Sequence, residues 1–239
     1  MKGVLANVAL KAIFLDLDNT LIDFSTVRRQ AHVAAAAVIK TYYPGLPSKE
    51  LIRVQKEKTA EVYREFISGE IDYGTQCRER FLRVFNHFGI KNPALIKYLA
   101  WFFNNYQESN VKPYASSELT LQILAPNYRL FIITNGPYPH QTRKLKLAGL
   151  SPFIEKLYAP GGKHKGKPEP HLFLAALKEA NLRPEEVVHV GDEIADILGA
   201  TNSGIKPIWI KPPKNEAGIN DIGELPLYLN KVSNENLAI

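Results

Sequence analysis

Short apolar runs recur at residues 10–15, 130–133, 187–190 and 207–210, and each ends in polar or glycine punctuation: DLDNT, TNG, GDE and KPP. Runs of this length suit strands covered on both faces, as in a parallel sheet between helices. The intervening segments read as helices: 141–148 stops at Gly149, 170–180 opens with proline, and 196–203 stops at Gly204. Strand, loop and helix in repetition predict an α/β fold, a Rossmann-like doubly wound parallel sheet. Residues 24–110 break the rhythm. Their apolar positions, such as Val54, Val62, Phe66 and then Phe81, Val84, Phe85, Phe88, have helical spacing. Turn signals at 43–45, 68–69 and 91–93 divide the stretch into about four helices. The pattern thus predicts an α/β core of residues 1–22 and 112–239 and an all-helical insert at 23–111. The aromatic residues Tyr63, Phe66, Phe81, Phe85, Trp101 and Phe102 are expected to form the insert's own core. Past residue 212 the chain is rich in Asn, Gly and Pro, with one edge strand expected near 225–229 before a loosely ordered tail.

Composition narrows the class without choosing a function. With 45% hydrophobic and 23% charged residues, a 239-residue chain has the make-up of a soluble globular protein with ample core. Thirty basic residues against twenty-four acidic leave +6, which favours anionic partners: nucleic acid, membrane surfaces or phosphorylated metabolites. No apolar stretch approaches the roughly 20 residues needed to span a bilayer. The first fifteen residues have the basic start and apolar run of a signal peptide. Asp16 and Asp18 stand where a cleavage site should be, so a buried strand is the better reading. A single Cys77 makes neither an internal disulfide nor a thiolate zinc cluster, and a cytoplasmic location is expected.

The densest candidate chemistry is Asp16-Leu17-Asp18-Asn19-Thr20 at the end of the first run. Two carboxylates where a buried strand ends are costly unless a cation compensates them. The carboxyl ends of parallel strands are also where α/β folds place ligands. Asx turn formation is the structural alternative. Later strand ends add Thr134-Asn135-Gly136 and Gly191-Asp192-Glu193, with Asp196 four residues after Asp192. Lys167 precedes Pro168-Glu169-Pro170 at a helix start. Singly these could be caps or surface charges; their common placement argues for one site.

With these residues in order, the chain resembles the haloacid dehalogenase superfamily, in its phosphatase branch with an α-helical cap of the first type. Asp16, Asp18 and Thr20 match D-x-D-x-T, Thr134 the second motif, Lys167 the third, and Gly191, Asp192 and Asp196 the fourth, G-D-x-x-x-D. The resemblance implies a Mg²⁺-dependent phosphomonoesterase for a small phosphorylated metabolite such as a sugar phosphate, a nucleoside monophosphate or phosphoglycolate. Asp16 would be the nucleophile and Asp18 the general acid and base. Asp16, the Asp18 carbonyl and Asp192 would hold the metal, with Asp196 acting through water or orienting a neighbour. Thr20, Thr134, Asn135 and Lys167 would bind phosphate, Thr134 and Lys167 with catalytic roles. Asp at position 18 favours phosphoryl over carbon–halogen chemistry, which needs no leaving-group proton. Lys40, Lys49, Lys56 and Lys58 look like helix-surface residues, which disfavours a Schiff-base carbon–phosphorus hydrolase. Readers of the leaving group are expected in the insert, around Asp72, Tyr73, Arg78 and Arg80 or at Asp23-Phe24. The alternatives within the same fold are a phosphomutase and a catalytically silent binding or regulatory protein.

Other signals fail. Gly161-Gly162-Lys163-His164-Lys165-Gly166-Lys167 fits a P-loop for seven positions, but Pro168 replaces the metal-holding hydroxyl and removes an N–H. The glycines are better read as a flexible loop delivering Lys167. The six scattered His have no zinc spacing, no G-x-S-x-G elbow is present, and Arg28-Arg29 and the 163–167 lysines lack nucleic-acid motifs. The expected partner is a metabolite, with neither nucleic acid nor membrane involved, and a monomer or small homo-oligomer.

Overall fold

Alternation inside the apolar runs builds a two-faced sheet. In the computed structural model, which describes residues 9–161 and 165–235, strand β1 (Ala12–Leu15) sends Ile13 and Leu15 to one core and Ala12 and Phe14 to the other. β2 (Arg129–Ile133), β3 (Lys156–Tyr158) and β4 (Val187–Gly191) divide in the same way, while β5 (Lys206–Trp209) gives Ile208 to the first core. All pairings are parallel, and the order is β3-β2-β1-β4-β5. β1 is therefore central, between β2 and β4, and the loops that follow these three strands leave the sheet side by side. The crevice outside such strand ends is the usual ligand site of an open parallel sheet.

Helices cover both faces. On one lie α5 (Ser117–Leu124), α6 (Tyr138–Leu147) and α9 (Leu225–Glu235); on the other α7 (His171–Ala180) and α8 (Ile194–Asn202). Four helices lie between β1 and α5: α1 (Phe24–Tyr42), α2 (Ser48–Ser68), α3 (Tyr73–His87) and α4 (Pro93–Ser109). Their boundaries follow local chemistry. Asp23, Asp72 and Asn92 accept hydrogen bonds from Thr26, Thr75 and Leu95 backbone N–H groups, and Pro93 opens α4. α2 stops at Gly69, whose φ of 83° is left-handed. This bundle has its own core around Ala31, Ile39, Phe81, Phe85, Leu99 and Phe103. Each fully buried Phe there contributes on the order of 1.5–3 kcal/mol.

Three expectations need correction. Residues 225–229 begin helix α9 rather than an edge strand: Leu225 and Leu229 are both buried, and their spacing of four is a helical period. Trp101 is 60% exposed, and Tyr63 is half-buried and lines a cavity, so neither belongs to the bundle's core. The short β3 and α5 were not anticipated. Residues 1–8, 162–164 and 236–239 lie outside the described residues, as do parts of the signal-like run, the P-loop-like stretch and the tail. Among the described residues, no helix is long and apolar enough to cross a membrane.

Candidate active site

Three sequence-distant segments converge on one buried lysine. Lys167 Nζ donates to Asp16 Oδ1 at 2.5 Å, to Asp196 Oδ1 at 2.6 Å and to the Ile133 carbonyl at 2.9 Å. Lys167, Asp16 and Asp196 are all buried, so each charge depends on the others. Burial alone would lower the lysine's pKa, but Asp16 and Asp196 outweigh it and keep the ammonium charged well above its usual range. Asp196 is likewise held down at about 2 against its burial, by Lys167 and His189. His189 Nε2 lies 2.9 Å from Asp196 Oδ1, and Asp196 Oδ2 accepts the Glu193 N–H at 3.1 Å, forming a capping box at the start of α8. Gly191 makes this approach possible: a Cβ there would stand 2.2 Å from Asp196 Cγ.

Carboxylates outnumber that cation. Oxygens of Asp16, Asp192 and Asp196 lie within 4.8 Å of one another. Burial pushes Asp16 and Asp192 upward with Lys167 opposing, and repulsion from neighbouring carboxylates adds to it; Asp192 reaches about 7. A cluster of hard oxygens with excess negative charge fits a hard divalent cation.

Thr134 follows β2, and its hydroxyl accepts from Gln141 Nε2 at 2.6 Å and the Gly136 N–H at 3.2 Å, leaving its own proton to donate. The Asn135 side chain is committed to the Lys167 backbone, donating to its carbonyl at 2.9 Å and accepting its N–H at 2.6 Å. It thus anchors the lysine loop, and only its backbone N–H is left for a ligand. Thr20 lies beside Asp192. It is buried, its hydroxyl points at Asp192 Oδ1 from 3.4 Å, and it does not line the cavity.

Two neighbours of Asp18 were missed in the sequence. Lys144, fully buried on α6, donates to Asp18 Oδ1 at 2.5 Å, and Gln141 Nε2 approaches Asp18 Oδ2 at 3.2 Å. Burial lowers the Lys144 pKa while Asp18 opposes the shift. Its Nζ also sits 3.6 Å from the Phe24 ring centroid, at the entry to α1. A signal was present: Gln141, Lys144, Leu145 and Ala148 form one buried stripe with helical spacing, and two of its members are polar.

The bundle closes over these loops to leave a cavity of about 530 Å³. Asp16, Asp18, Thr134 and Lys167 form its floor, while α1–α4 supply Phe24, Tyr63, Tyr73 and Arg80 among others. Of the expected leaving-group readers, Phe24, Tyr73 and Arg80 reach the cavity; Asp23 and Asp72 are helix caps, and exposed Arg78 is not among the lining residues. Lys56, exposed on α2, also lines it. Bundle and sheet are tied by Glu108 on α4, which meets His140 Nδ1 and Arg143 of α6, each at 2.7 Å.

A parallel α/β sheet bearing a helical bundle, with an Asp–Lys–Asp centre at its strand ends, defines the class of this protein as an α/β fold with a buried carboxylate site. Residues 10–204 match the model of the haloacid dehalogenase-like hydrolases, and the chain belongs to that family. It is 31% identical over 211 residues to glyceraldehyde 3-phosphate phosphatase of Methanothermobacter thermautotrophicus, covering 87% of this chain and 88% of that one. It is 26% identical to human N-acylneuraminate-9-phosphatase, covering 91% and 88%. Among solved structures, the HAD hydrolase YfnB from Bacillus subtilis bound to magnesium superposes with a TM-score of 0.75 at 20% identity, covering 93% and 99%. A 2-haloacid dehalogenase from Pseudomonas syringae gives 0.70 at 24% identity, over 93% and 99%. These likenesses establish the fold.

Proposed function

We propose that the protein is a Mg²⁺-dependent phosphomonoesterase acting on a small phosphorylated metabolite, with residues 23–111 serving as its cap. The observation that carries this reading is the buried Lys167 bonded to both Asp16 and Asp196, beside Thr134 and Asp18 on the floor of one cavity. Asp16, the Asp18 carbonyl and Asp192 would hold the metal. When bound, Mg²⁺ supplies charge neutralisation at the phosphate oxygens.

Lys167 occupies Asp16 Oδ1 and leaves the other carboxylate oxygen to attack phosphorus. The P–O ester bond breaks as the new Asp16–phosphorus bond forms, and the departing alkoxide takes a proton from Asp18. Water then attacks the aspartyl phosphate and gives its proton to Asp18, releasing inorganic phosphate and restoring Asp16. Thr134 and the Asn135 N–H donate to the phosphoryl oxygens, and Lys167 offsets the charge on phosphate and nucleophile. Lys144 and Gln141 hold the Asp18 carboxylate in place. An acid at position 18 favours phosphoryl transfer over dehalogenation, and the phosphatase names of the curated relatives support the same reaction class.

The test is phosphate release from sugar phosphates, nucleoside monophosphates and phosphoglycolate, with Mg²⁺ and with EDTA. Turnover that needs Mg²⁺ and vanishes in a folded Asp16→Asn variant is the expected result. No release from any of them by folded protein refutes it, and isomerised sugar phosphate without net release identifies a mutase instead.

A further inference from the structure

The cavity has two electrostatic ends. Every acid that lines it, Asp16, Asp18, Glu193 and Asp196, belongs to the strand-end loops or the start of α8. The bundle contributes Arg28, Arg29, Lys56, Arg64 and Arg80 to the lining, and no carboxylate. Arg80 is the unusual one. It is 6% exposed, yet no carboxylate of the described residues pairs with it; its Nε reaches only the Gln76 carbonyl at 3.4 Å. The guanidinium lies 5.0 Å from the Phe103 ring centroid, against which His32 also packs. His32 Nδ1 and Gln76 Oε1 are buried without hydrogen-bond partners, and both residues line the cavity.

A buried guanidinium without a counterion is expensive, and that cost falls when an anion fills the space before it. The phosphoryl group is provided for at the other end, by Lys167 and Thr134. We infer that Arg80, assisted by His32, Gln76 and the Arg28 rim, forms a second anion subsite that reads a carboxylate or second phosphate on the leaving group. This deepens the phosphatase reading and rests on it: the substrate is a phosphomonoester carrying another negative charge at its far end. The volume agrees. About 530 Å³ falls in the roughly 300–1,000 Å³ range of cavities that enclose a drug-sized ligand, ample for a six-carbon chain between the two ends.

Three six-carbon substrates separate the possibilities: glucose 6-phosphate without a second anion, 6-phosphogluconate with a carboxylate, and fructose 1,6-bisphosphate with a second phosphate. We expect kcat/KM for at least one dianionic-ended substrate to exceed that for glucose 6-phosphate by about tenfold or more, the scale of one charge-assisted hydrogen bond. Which of the two leads identifies the anion. Arg80→Met should bring the ratio to within about threefold of unity on the same scale, and Arg80→Lys should retain part of it. Equal or better use of glucose 6-phosphate by the wild type overturns the subsite, as does a ratio unmoved by Arg80→Met. The wild-type comparison needs no variant, and Arg28→Gln at an exposed position provides a second one if Arg80→Met does not fold. p-Nitrophenyl phosphate keeps the two claims apart: its turnover without any preference removes the subsite and leaves the phosphatase standing. If no substrate turns over, the phosphatase reading fails, and calorimetric binding of 6-phosphogluconate against glucose 6-phosphate decides the subsite. Tenfold tighter binding of the former supports it and equal binding refutes it.

Discussion

Replacing Lys144 by Met separates a positioning role from a structural one. Lys144 has no exposed surface, and among the described residues its ammonium meets only Asp18 Oδ1, at 2.5 Å, and the Phe24 ring. Methionine fills similar space and removes the burial cost of the cation. The stranded partner keeps the Gln141 contact at 3.2 Å, and its side chain is 22% exposed to the cavity, so water restores part of what it loses. Removing one partner of a buried pair costs about 3–5 kcal/mol when the other is left dry, and with Asp18 partly wetted we expect a loss of about 1–3 kcal/mol. Catalysis should suffer in its own way. Loss of one hydrogen bond to a charged group costs about 1.5–3 kcal/mol, or roughly 10- to 150-fold in kcat/KM. The loss should depend on the leaving group. An alkyl phosphate needs the Asp18 proton fully, whereas p-nitrophenolate leaves with little help. The assay is kcat/KM for glycerol 3-phosphate and p-nitrophenyl phosphate, beside thermal melts of both proteins. Equal losses on the two substrates, or a fall in Tm above about 12 °C, would refute the positioning role; that shift exceeds what about 3 kcal/mol produces in a chain of this size.

The tie between bundle and sheet is pH-dependent. Burial would raise the Glu108 carboxyl, but His140 and Arg143 hold it down at about 2, below its unfolded value of 4.5. A depressed carboxylate stabilises above the unfolded value and loses that contribution as pH falls through 4.5 toward 2, at most about 3 kcal/mol here. Melts of wild type and Glu108→Gln should therefore differ at pH 6 and converge near pH 2; a constant gap contradicts the assignment. Gly191→Ala should cut phosphate release by more than about 100-fold and destabilise by roughly 1–3 kcal/mol, because its Cβ would displace Asp196 and with it Lys167. Wild-type activity in that variant would show that Asp196 does not orient the lysine. Mg²⁺ should raise the wild-type Tm by mass action, and Asp192→Asn should abolish the rise while leaving metal-free protein at least as stable, since one of three clustered acids is neutralised. A Mg²⁺-dependent rise that survives Asp192→Asn would remove Asp192 from the metal site.

The strand-end chemistry was legible because its information is local. Asp16 and Asp18 sit together where an apolar run ends, as do Thr134 and Gly191-Asp192, and parallel pairing of β1 with β2 and β4 brings those ends into one crevice. Lys167 carried the weakest local signal of the group, its place at a helix start, because it follows no strand closely and reaches Asp16 from 151 residues away. Thr20 shows what a motif leaves out: past Asn19, at φ 64°, its hydroxyl lies beside Asp192 and outside the cavity lining. The misread 225–229 segment is short and apolar, and such runs fit either period until their partners are known. Here Leu225 and Leu229 pack in one core with Leu121 of α5, itself unanticipated.

What the sequence concealed was which polar residues on buried helix faces serve a site. Lys144 and Gln141 lie in the apolar stripe of α6, and His32, Gln76, Arg80 and Gln107 occupy buried positions on α1, α3 and α4. A hydrophobicity pattern registers each as a defect in an amphipathic face. In the fold each lines the same cavity. Burying such groups among apolar side chains would cost about 1–3 kcal/mol apiece, more for the charged ones. The bundle would therefore have been more stable with apolar residues at these places, and its departure from that pattern has a spatial order. Cations without carboxylates face inward from α1, α2 and α3, and neutral amides and an imidazole stand between them. Packing alone does not account for a one-signed lining on one wall and an acid cluster on the other. A ligand with phosphate at one end and a second anion at the other does, and the irregularities in the helical stripes mark where it would lie.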